Sequence, residues 1–207
     1  MTEIEAILPQ GADSADAAAF SSIEGALRFA FGNRYRGEPD SLAQHQKRIA
    51  GRGGAPRFES DEERAAWAGV IRRRISTMHP SRHALLVVRF APRAFPCACR
   101  RACCSGWAKN DEWAEALATL VADSIVAVAG HVSNRQLREG VIQRWAGVTR
   151  VNIGILAEKC GVHRDTAGKQ AKLIRRWLDQ LERSALDEAD LCLSVQPVDN
   201  SQHSVLE

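Results

Sequence analysis

The stretch NIGILAEKCGVHRDTAGKQAKLIRRWL, residues 152–178, decides how the fold of this chain is interpreted. It predicts two helices joined by a short turn. Asn152 is a typical helix-capping residue, and Gly161 supplies the positive φ that a tight turn needs. Ala157 is small enough to let a second helix, from about His163 onward, cross close above it. The pattern predicts a helix-turn-helix unit.

The predicted corner has an apolar interior and a basic exterior. The interior is expected to hold Leu156, Cys160, Val162, Ala167 and Ala171. The outer face of the second helix fits a DNA major groove, because its first turns would touch base edges and its later cations would touch phosphates. The predicted DNA-binding residues are His163, Arg164, Asp165, Thr166, Lys169, Lys172 and Arg176.

The rest of the chain is also predicted to be helical. Capping-box patterns begin at Ser21, Ser60 and Ser133, and Asn110 is expected to cap a helix that runs to about Ala129. The apolar run 85–88 fits a short strand or a buried helix, and we favour helix because no second strand is evident nearby. We therefore predict an all-α fold, a helical bundle ending in a trihelical helix-turn-helix, with a short irregular cysteine-rich insertion.

Changes in composition divide the chain into five predicted segments. They are a flexible acidic leader at 1–20, an N-terminal helical region at 21–95 with a Gly/Arg-rich loop at 33–58, a cysteine-rich insertion at 96–109, a helix-turn-helix domain at 110–183 and an acidic tail at 184–207.

The net charge of +3 conceals a strong segregation of charge. All 28 Lys and Arg lie in residues 28–183, against 15 Asp and Glu there, a net charge of +13, whereas residues 1–27 and 184–207 each carry −5. A basic middle indicates either a polyanionic partner or a solvated basic surface. The acidic start and the lack of about 20 consecutive apolar residues predict a soluble intracellular protein with no membrane partner.

Four of the six cysteines, Cys97, Cys99, Cys103 and Cys104, lie in the segment PCACRRACCSG, residues 96–106. Zinc prefers four thiolate or imidazole ligands, so we predict that these four cysteines are its ligands. A mixed site with His79, His83 or His131 also fits, as do buried thiols without a metal and, less well, redox-active thiols. No phosphate-binding loop, His-Glu-x-x-His, Gly-x-Ser-x-Gly or paired-carboxylate motif is present, so we predict no enzymatic activity.

From residue 133 to about 183, the segments RQLREGVIQRWAG, LAEKCGV and HRDTAGKQAKLIRRWL resemble the trihelical domain of sigma-factor region 4 and its relatives among bacterial and phage regulators. Three positions depart from that pattern: His163 stands where Ser or Thr is usual, Gly154 lies inside the first helix, and Gln170 fills a usually apolar position. The segment RFAPRAFPCACRRACCSG followed by EWAEALA resembles small phage and prophage regulators, some of them grouped with late-gene antiterminators.

These resemblances imply a sequence-specific DNA-binding transcription regulator of phage or prophage origin that works in the cytoplasm of a bacterial host. They imply double-stranded DNA and RNA polymerase as partners, antitermination as a mode of action, and a cysteine zinc element. The alternative is a non-enzymatic protein–protein adaptor that binds the transcription machinery without intrinsic DNA specificity.

Overall fold

The computed structural model of the chain describes residues 20, 22–33, 58, 60–97, 99, 105–130 and 133–194. These residues are mostly helical, which confirms the predicted all-α class. In chain order the elements are α1 (Ile23–Asn33), α2 (Asp61–Ile75), α3 (Pro80–Phe90), β1 (Ala94–Pro96), β2 (Trp107–Lys109), α4 (Asp111–Asp123), a 3-10 helix (Ser124–Val128), α5 (Arg135–Trp145), α6 (Ile153–Lys159) and α7 (Arg164–Ser194). Residues 1–19 of the predicted leader and most of the predicted loop at 33–58 lie outside the described residues.

The observed helix caps agree with the predicted capping boxes to within one residue. Ser60 caps α2 as predicted, and its Oγ accepts the backbone N–H three residues later at 3.0 Å. The caps of α1 and α5 are Ser22 and Asn134, each one residue beyond the predicted Ser21 and Ser133. Ser and Asn are both favoured N-cap residues, so in each place either of two neighbouring residues is able to cap the helix.

A single cluster of buried apolar side chains includes residues from each of the seven α-helices that lie in the described ranges. Helix α3 is its centre, because the five consecutive residues from Ala84 to Val88 are all buried. This confirms a helix rather than a strand at 85–88. The predicted N-terminal helical region and the predicted helix-turn-helix domain thus share one hydrophobic core.

Helix α7 connects the two ends of this core. It is 31 residues long, roughly 46 Å at 1.5 Å per residue. The helix contacts α5 and α6 and also α1, α2 and α3. The predicted acidic tail at 184–207 needs correction, because residues 184–194 are the last turns of α7. Ala185 and Ala189 continue its buried stripe and anchor these turns in the core.

The cysteine-rich insertion begins and ends in a short β-hairpin, which the sequence did not predict. Strands β1 and β2 pair antiparallel, with Ala94 opposite Lys109 and Pro96 opposite Trp107. The backbone N–H of Cys97 extends the pairing by donating to the carbonyl of Gly106 at 2.9 Å. The insertion is therefore closed at its base rather than irregular throughout.

Helix α4 is shorter than predicted, because it ends at Asp123 and a 3-10 helix continues to Val128. The change of helix type coincides with two donors at the carbonyl of Val121. The buried Ser124 hydroxyl donates to it at 2.8 Å, and the buried Arg138 Nε donates at 3.2 Å. These bonds satisfy a carbonyl that the end of an α-helix leaves unpaired.

Candidate nucleic-acid interface

The turn between α6 and α7 is built as the sequence predicts. Asn152 Oδ1 caps α6 by accepting the N–H of Gly154 at 2.8 Å. At the other end Gly161 has a φ of +63°. The N–H of Val162 donates to the carbonyl of Ala157 at 2.9 Å, the long-range bond of a Schellman helix ending. This ending redirects the chain directly into α7.

The interior of the corner contains the small residues that close helix crossing requires. Ala157 is 1% exposed and Ala167 is fully buried. The other predicted interior residues are half-buried against the main core, namely Leu156, Cys160, Val162 and Ala171. Gln170, which departs from the usual apolar pattern, is indeed an interior residue at 1% exposure.

Gly140 on α5 is a contact residue that our sequence analysis missed. A Cβ at this position would lie 2.5 and 2.7 Å from the two Cδ atoms of Leu156 on α6. A side chain at 140 therefore requires Leu156 to move from its place between α5 and α6. A glycine inside an otherwise amphipathic helical pattern was the available signal.

All seven predicted DNA-binding residues are exposed on the first four turns of α7 or at its start. Asp165, Lys169, Lys172 and Arg176 follow the spacing i, i+4, i+7 and i+11, which places them within about 60° around the helix. The buried residues of the same segment lie on the opposite side, namely Ala167, Gln170, Ile174 and Leu178. One side of the helix faces the core, and the other is open to a partner.

We call Arg164, Lys169, Lys172 and Arg176 the basic face of α7. Within the described part of the chain, none of these four cations lies within 4 Å of a carboxylate. Residues 163–176 contain five Lys and Arg and one Asp, a net charge of +4. The basic face is an exposed, uncompensated positive surface.

The second half of α7 has the opposite charge. Residues 177–194 contain five Asp and Glu and one Arg, a net charge of −4. Glu182 and Glu188 pair with arginines of α3 at 3.3 and 2.9 Å, and Asp179 accepts the indole N–H of Trp145 at 2.8 Å. Acidic residues therefore hold α7 against the other helices, while its basic residues stay at the surface.

The structure explains two positions that depart from the usual pattern, His163 and Gly154, both at the start of α7 or beside it. Nδ1 of His163 accepts the N–H of Asp165 at 3.3 Å, so this histidine caps the helix where Ser or Thr was expected. Arg164 lies over α6, with its Nε 3.4 Å from the point where a Cβ of Gly154 would be.

Three further exposed cations surround the corner and were not predicted as contacts: Arg150, Lys159 and Arg175.

The predicted metal ligands are only partly within the described residues. Cys97 is half-buried and Cys99 is exposed, whereas Cys103, Cys104 and His131 lie outside those residues. No group of three or more His, Cys, Asp or Glu in the described ranges is arranged to hold a metal ion. The two described cysteines would supply half of the four donors that tetrahedral zinc needs.

Two of the candidate histidine ligands, His79 and His83, lie at the start of α3. His79 precedes α3, and its backbone N–H donates to Glu188 at 3.3 Å. His83 lies in α3, where burial lowers the pKa of its imidazole; the nearby Glu112 opposes this shift and Arg72 adds to it. His83 thus belongs to the packing around α3, whereas the side chain of His79 is exposed.

Comparison with known proteins gives no relative, since no family model, curated protein or solved structure matches this chain. None of the described helices is long and apolar enough to cross a bilayer. Even α7, the longest of them, carries charges along its whole length.

Proposed function

We propose that this protein is a sequence-specific DNA-binding transcription regulator that places the first half of α7 in the major groove of double-stranded DNA. The observation that carries the proposal is the basic face, which is exposed and unpaired with carboxylates, and of which Lys169, Lys172 and Arg176 lie opposite the buried side of the same helix. An α-helix fits the major groove, and phosphates would neutralise the charge of this surface.

The position of each side chain along α7 suggests its role. Arg164, Asp165 and Lys169 lie in the first two turns, where a recognition helix meets base edges. Arginine and lysine donate to guanine, and a carboxylate accepts from the cytosine amino group. Lys172 and Arg176 lie further along α7 and would contact phosphates. His163 and Thr166, at the N-terminal end of the helix, would do the same.

Selection of binding sites from a random duplex pool, followed by gel-shift titration, tests this proposal. Arg164→Ala should lose discrimination at one base position, by about tenfold or more in affinity ratio. Lys172→Ala should instead weaken binding to all sequences and lower the slope of log K against log salt by about one.

Arg73→Ala is the charge-matched control. Arg73 is exposed in the last turn of α2, and its neighbour Arg74 donates to the carbonyl of Leu193 at the far end of α7. Leu193 is roughly 30 Å along the helix from Lys172, so the control should leave duplex affinity within about twofold. Folded protein without duplex affinity at low salt would contradict the proposal.

We further propose that RNA polymerase is a partner, with late-gene antitermination in a bacterial cell infected or lysogenised by a phage as the setting. The resemblance of the central segment to phage regulators supports this, and so does one feature of the surface. Ile125 and Val126 of the 3-10 helix are 55% and 65% exposed, an apolar pair suited to a protein contact. This pair also favours the adaptor as the second candidate function.

Co-precipitation with purified polymerase separates these two functions. An Ile125→Ser/Val126→Ser variant should lose polymerase and retain duplex binding if the protein contacts both partners. Capture of polymerase by a wild-type protein that has no duplex affinity would favour the adaptor.

The zinc element is also a proposal, with Cys97, Cys99, Cys103 and Cys104 as ligands. The hairpin supports it, because pairing of β1 with β2 brings the two ends of the cysteine segment together. Metal analysis of purified protein should find about one zinc per chain, and a strong chelator should lower Tm. Cys97→Ser should remove the metal, whereas Cys192→Ser in α7 should retain it; protein purified without zinc and unaffected by chelator would contradict the proposal.

A further inference from the structure

The β-hairpin presents a solvent-facing surface that the basic face does not use. Directly opposite residues of an antiparallel pair share one face of the sheet, and so do alternate residues along a strand. One face is therefore formed by Ala94, Pro96, Trp107 and Lys109. The opposite face holds Phe95 and Ala108, which are both half-buried. We call Pro96, Trp107 and Lys109 the hairpin platform, since all three are exposed.

Trp107 is the notable member of this platform, because its side chain is 62% exposed. The chain has five tryptophans, all within the described residues, and the other four are buried or half-buried. Trp113, six residues later, shows the ordinary arrangement: it is 4% exposed and its indole N–H donates to the carbonyl of Val88 at 3.2 Å. An exposed indole adds little to folding, so a binding role explains its position better.

The charge of the hairpin indicates an anionic partner. Residues 91–110 contain four Lys and Arg and no Asp or Glu. Among them, Lys109 is exposed on the platform itself, two residues from Trp107 on the same strand, and Arg93 is exposed just before β1. A flat aromatic surface beside an ammonium group matches a ligand that has both an aromatic ring and a phosphate.

An unpaired nucleotide is such a ligand. Bases inside a duplex are already stacked on their neighbours, whereas bases of a single strand are free to stack on an aromatic side chain. We propose that the hairpin platform binds single-stranded nucleic acid, with a base stacked on the Trp107 indole and a phosphate beside Nζ of Lys109. This site goes beyond the proposed duplex contact of α7 and does not depend on it.

The test compares two labelled probes by fluorescence anisotropy at low salt: a short oligothymidylate and a random-sequence duplex. With the full chain, Trp107→Ala should weaken oligothymidylate binding by about 5- to 100-fold, because one stacked base is lost. Trp107→Phe should remain within about threefold of wild type, because a phenyl ring still stacks. Lys109→Ala should reduce the salt slope for the single strand by roughly 0.7.

Two controls keep this result separate from the duplex site. Leu191→Ala removes an equally exposed apolar side chain, 66% exposed near the end of α7, and should not change oligothymidylate affinity. Lys172→Ala should weaken the duplex and leave the single strand bound, so failure of either site is visible independently of the other.

Three results would overturn the inference. The first is unchanged oligothymidylate affinity in Trp107→Ala. The second is an equal loss in Lys172→Ala, which would place the strand on the basic face. The third is loss of polymerase capture in Trp107→Ala with single-strand affinity intact, which would assign the platform to a protein.

Discussion

Gly161 and Gly140 stand on either side of α6 and answer different physical requirements. Gly161 has a φ of +63°, a backbone conformation that a side chain resists. Gly140 has ordinary helical geometry, and its lack of a side chain instead makes room for Leu156. One glycine permits the turn, and the other permits the contact between α5 and α6 that supports it.

We expect Gly140→Ala to destabilise the protein although alanine favours helix. Overpacking against Leu156 costs about 1–3 kcal/mol, and the gain in helix propensity returns at most about 1 kcal/mol. In a Leu156→Ala background the clash disappears, so the same change should become stabilising. Chemical denaturation of the four proteins measures this reversal of sign.

Gly69→Ala is the control for this comparison. Gly69 lies inside α2, and no atom is within 4 Å of the position its Cβ would take. The substitution should stabilise the protein by about 0.5–1 kcal/mol. A Gly140→Ala protein that is equally stabilised would show that Leu156 makes room for the new methyl group without cost.

His83 should make stability depend on pH. Burial lowers the pKa of its imidazole, with Glu112 opposing and Arg72 reinforcing the shift, so the unfolded chain binds a proton more readily than the folded one. The free energy of unfolding therefore has its full value well above the pKa of the imidazole in the unfolded chain, about 6.5, and it falls as the pH drops below that value. His83→Gln should flatten the dependence of Tm on pH between pH 7.5 and 5.5.

At the scale of elements, α7 is divided by charge into a basic half, whose cations face solvent, and an acidic half, whose carboxylates pair with other helices. Glu188 shows how the second half is held, by Arg82 and the backbone N–H of His79. Burial alone would raise the pKa of Glu188, but these two hydrogen bonds and the charge of Arg82 bring it below its ordinary value. The carboxylate is therefore stabilised in its charged form, which holds α7 on α3.

Truncation distinguishes this arrangement from an acidic tail. A chain ending at Arg183 should be markedly less stable than one ending at Ser194, because it lacks the buried Ala185 and Ala189 and the Glu188 pair. Thermal melts of both chains beside the full-length protein measure the difference. Equal melting of the two truncated chains would mean that residues 184–194 contribute nothing to the fold.

At the scale of the whole molecule, the shared core links the proposed DNA-binding corner to α3 at the centre. Leu86→Ala in α3 removes a fully buried side chain, at an expected cost of about 2–5 kcal/mol. If the protein has one core, the free energy that protects the α7 amides from hydrogen exchange should fall by the same amount as the global stability. With two independent domains, protection around Ile174 would stay unchanged, and mass spectrometry of exchanged peptides separates the two cases.

The local features of this protein follow from its sequence because they depend on neighbouring residues. The turn at Gly161, the cap at Asn152 and the exposed side of α7 are set by backbone preference and helical spacing, which a linear sequence contains. The structure confirms the predicted helix at α3, but the reason given for it was incomplete, because two short strands follow at Ala94–Pro96 and Trp107–Lys109. Helical spacing predicts which side of a helix is exposed, but it does not specify the molecule that binds there. DNA, RNA polymerase and zinc are therefore proposals.

The tertiary structure alone decided the burial of the last turns of α7 and the exposure of Trp107. Residues 184–194 have the composition of a tail, yet Ala185 and Ala189 are buried against the other helices and Glu188 pairs with Arg82 of α3. The pairing of β1 with β2 exposes Trp107, whereas Trp113, six residues later, is buried. Helices and turns are decided by contacts a few residues apart, whereas burial depends on what distant segments bring to the same place.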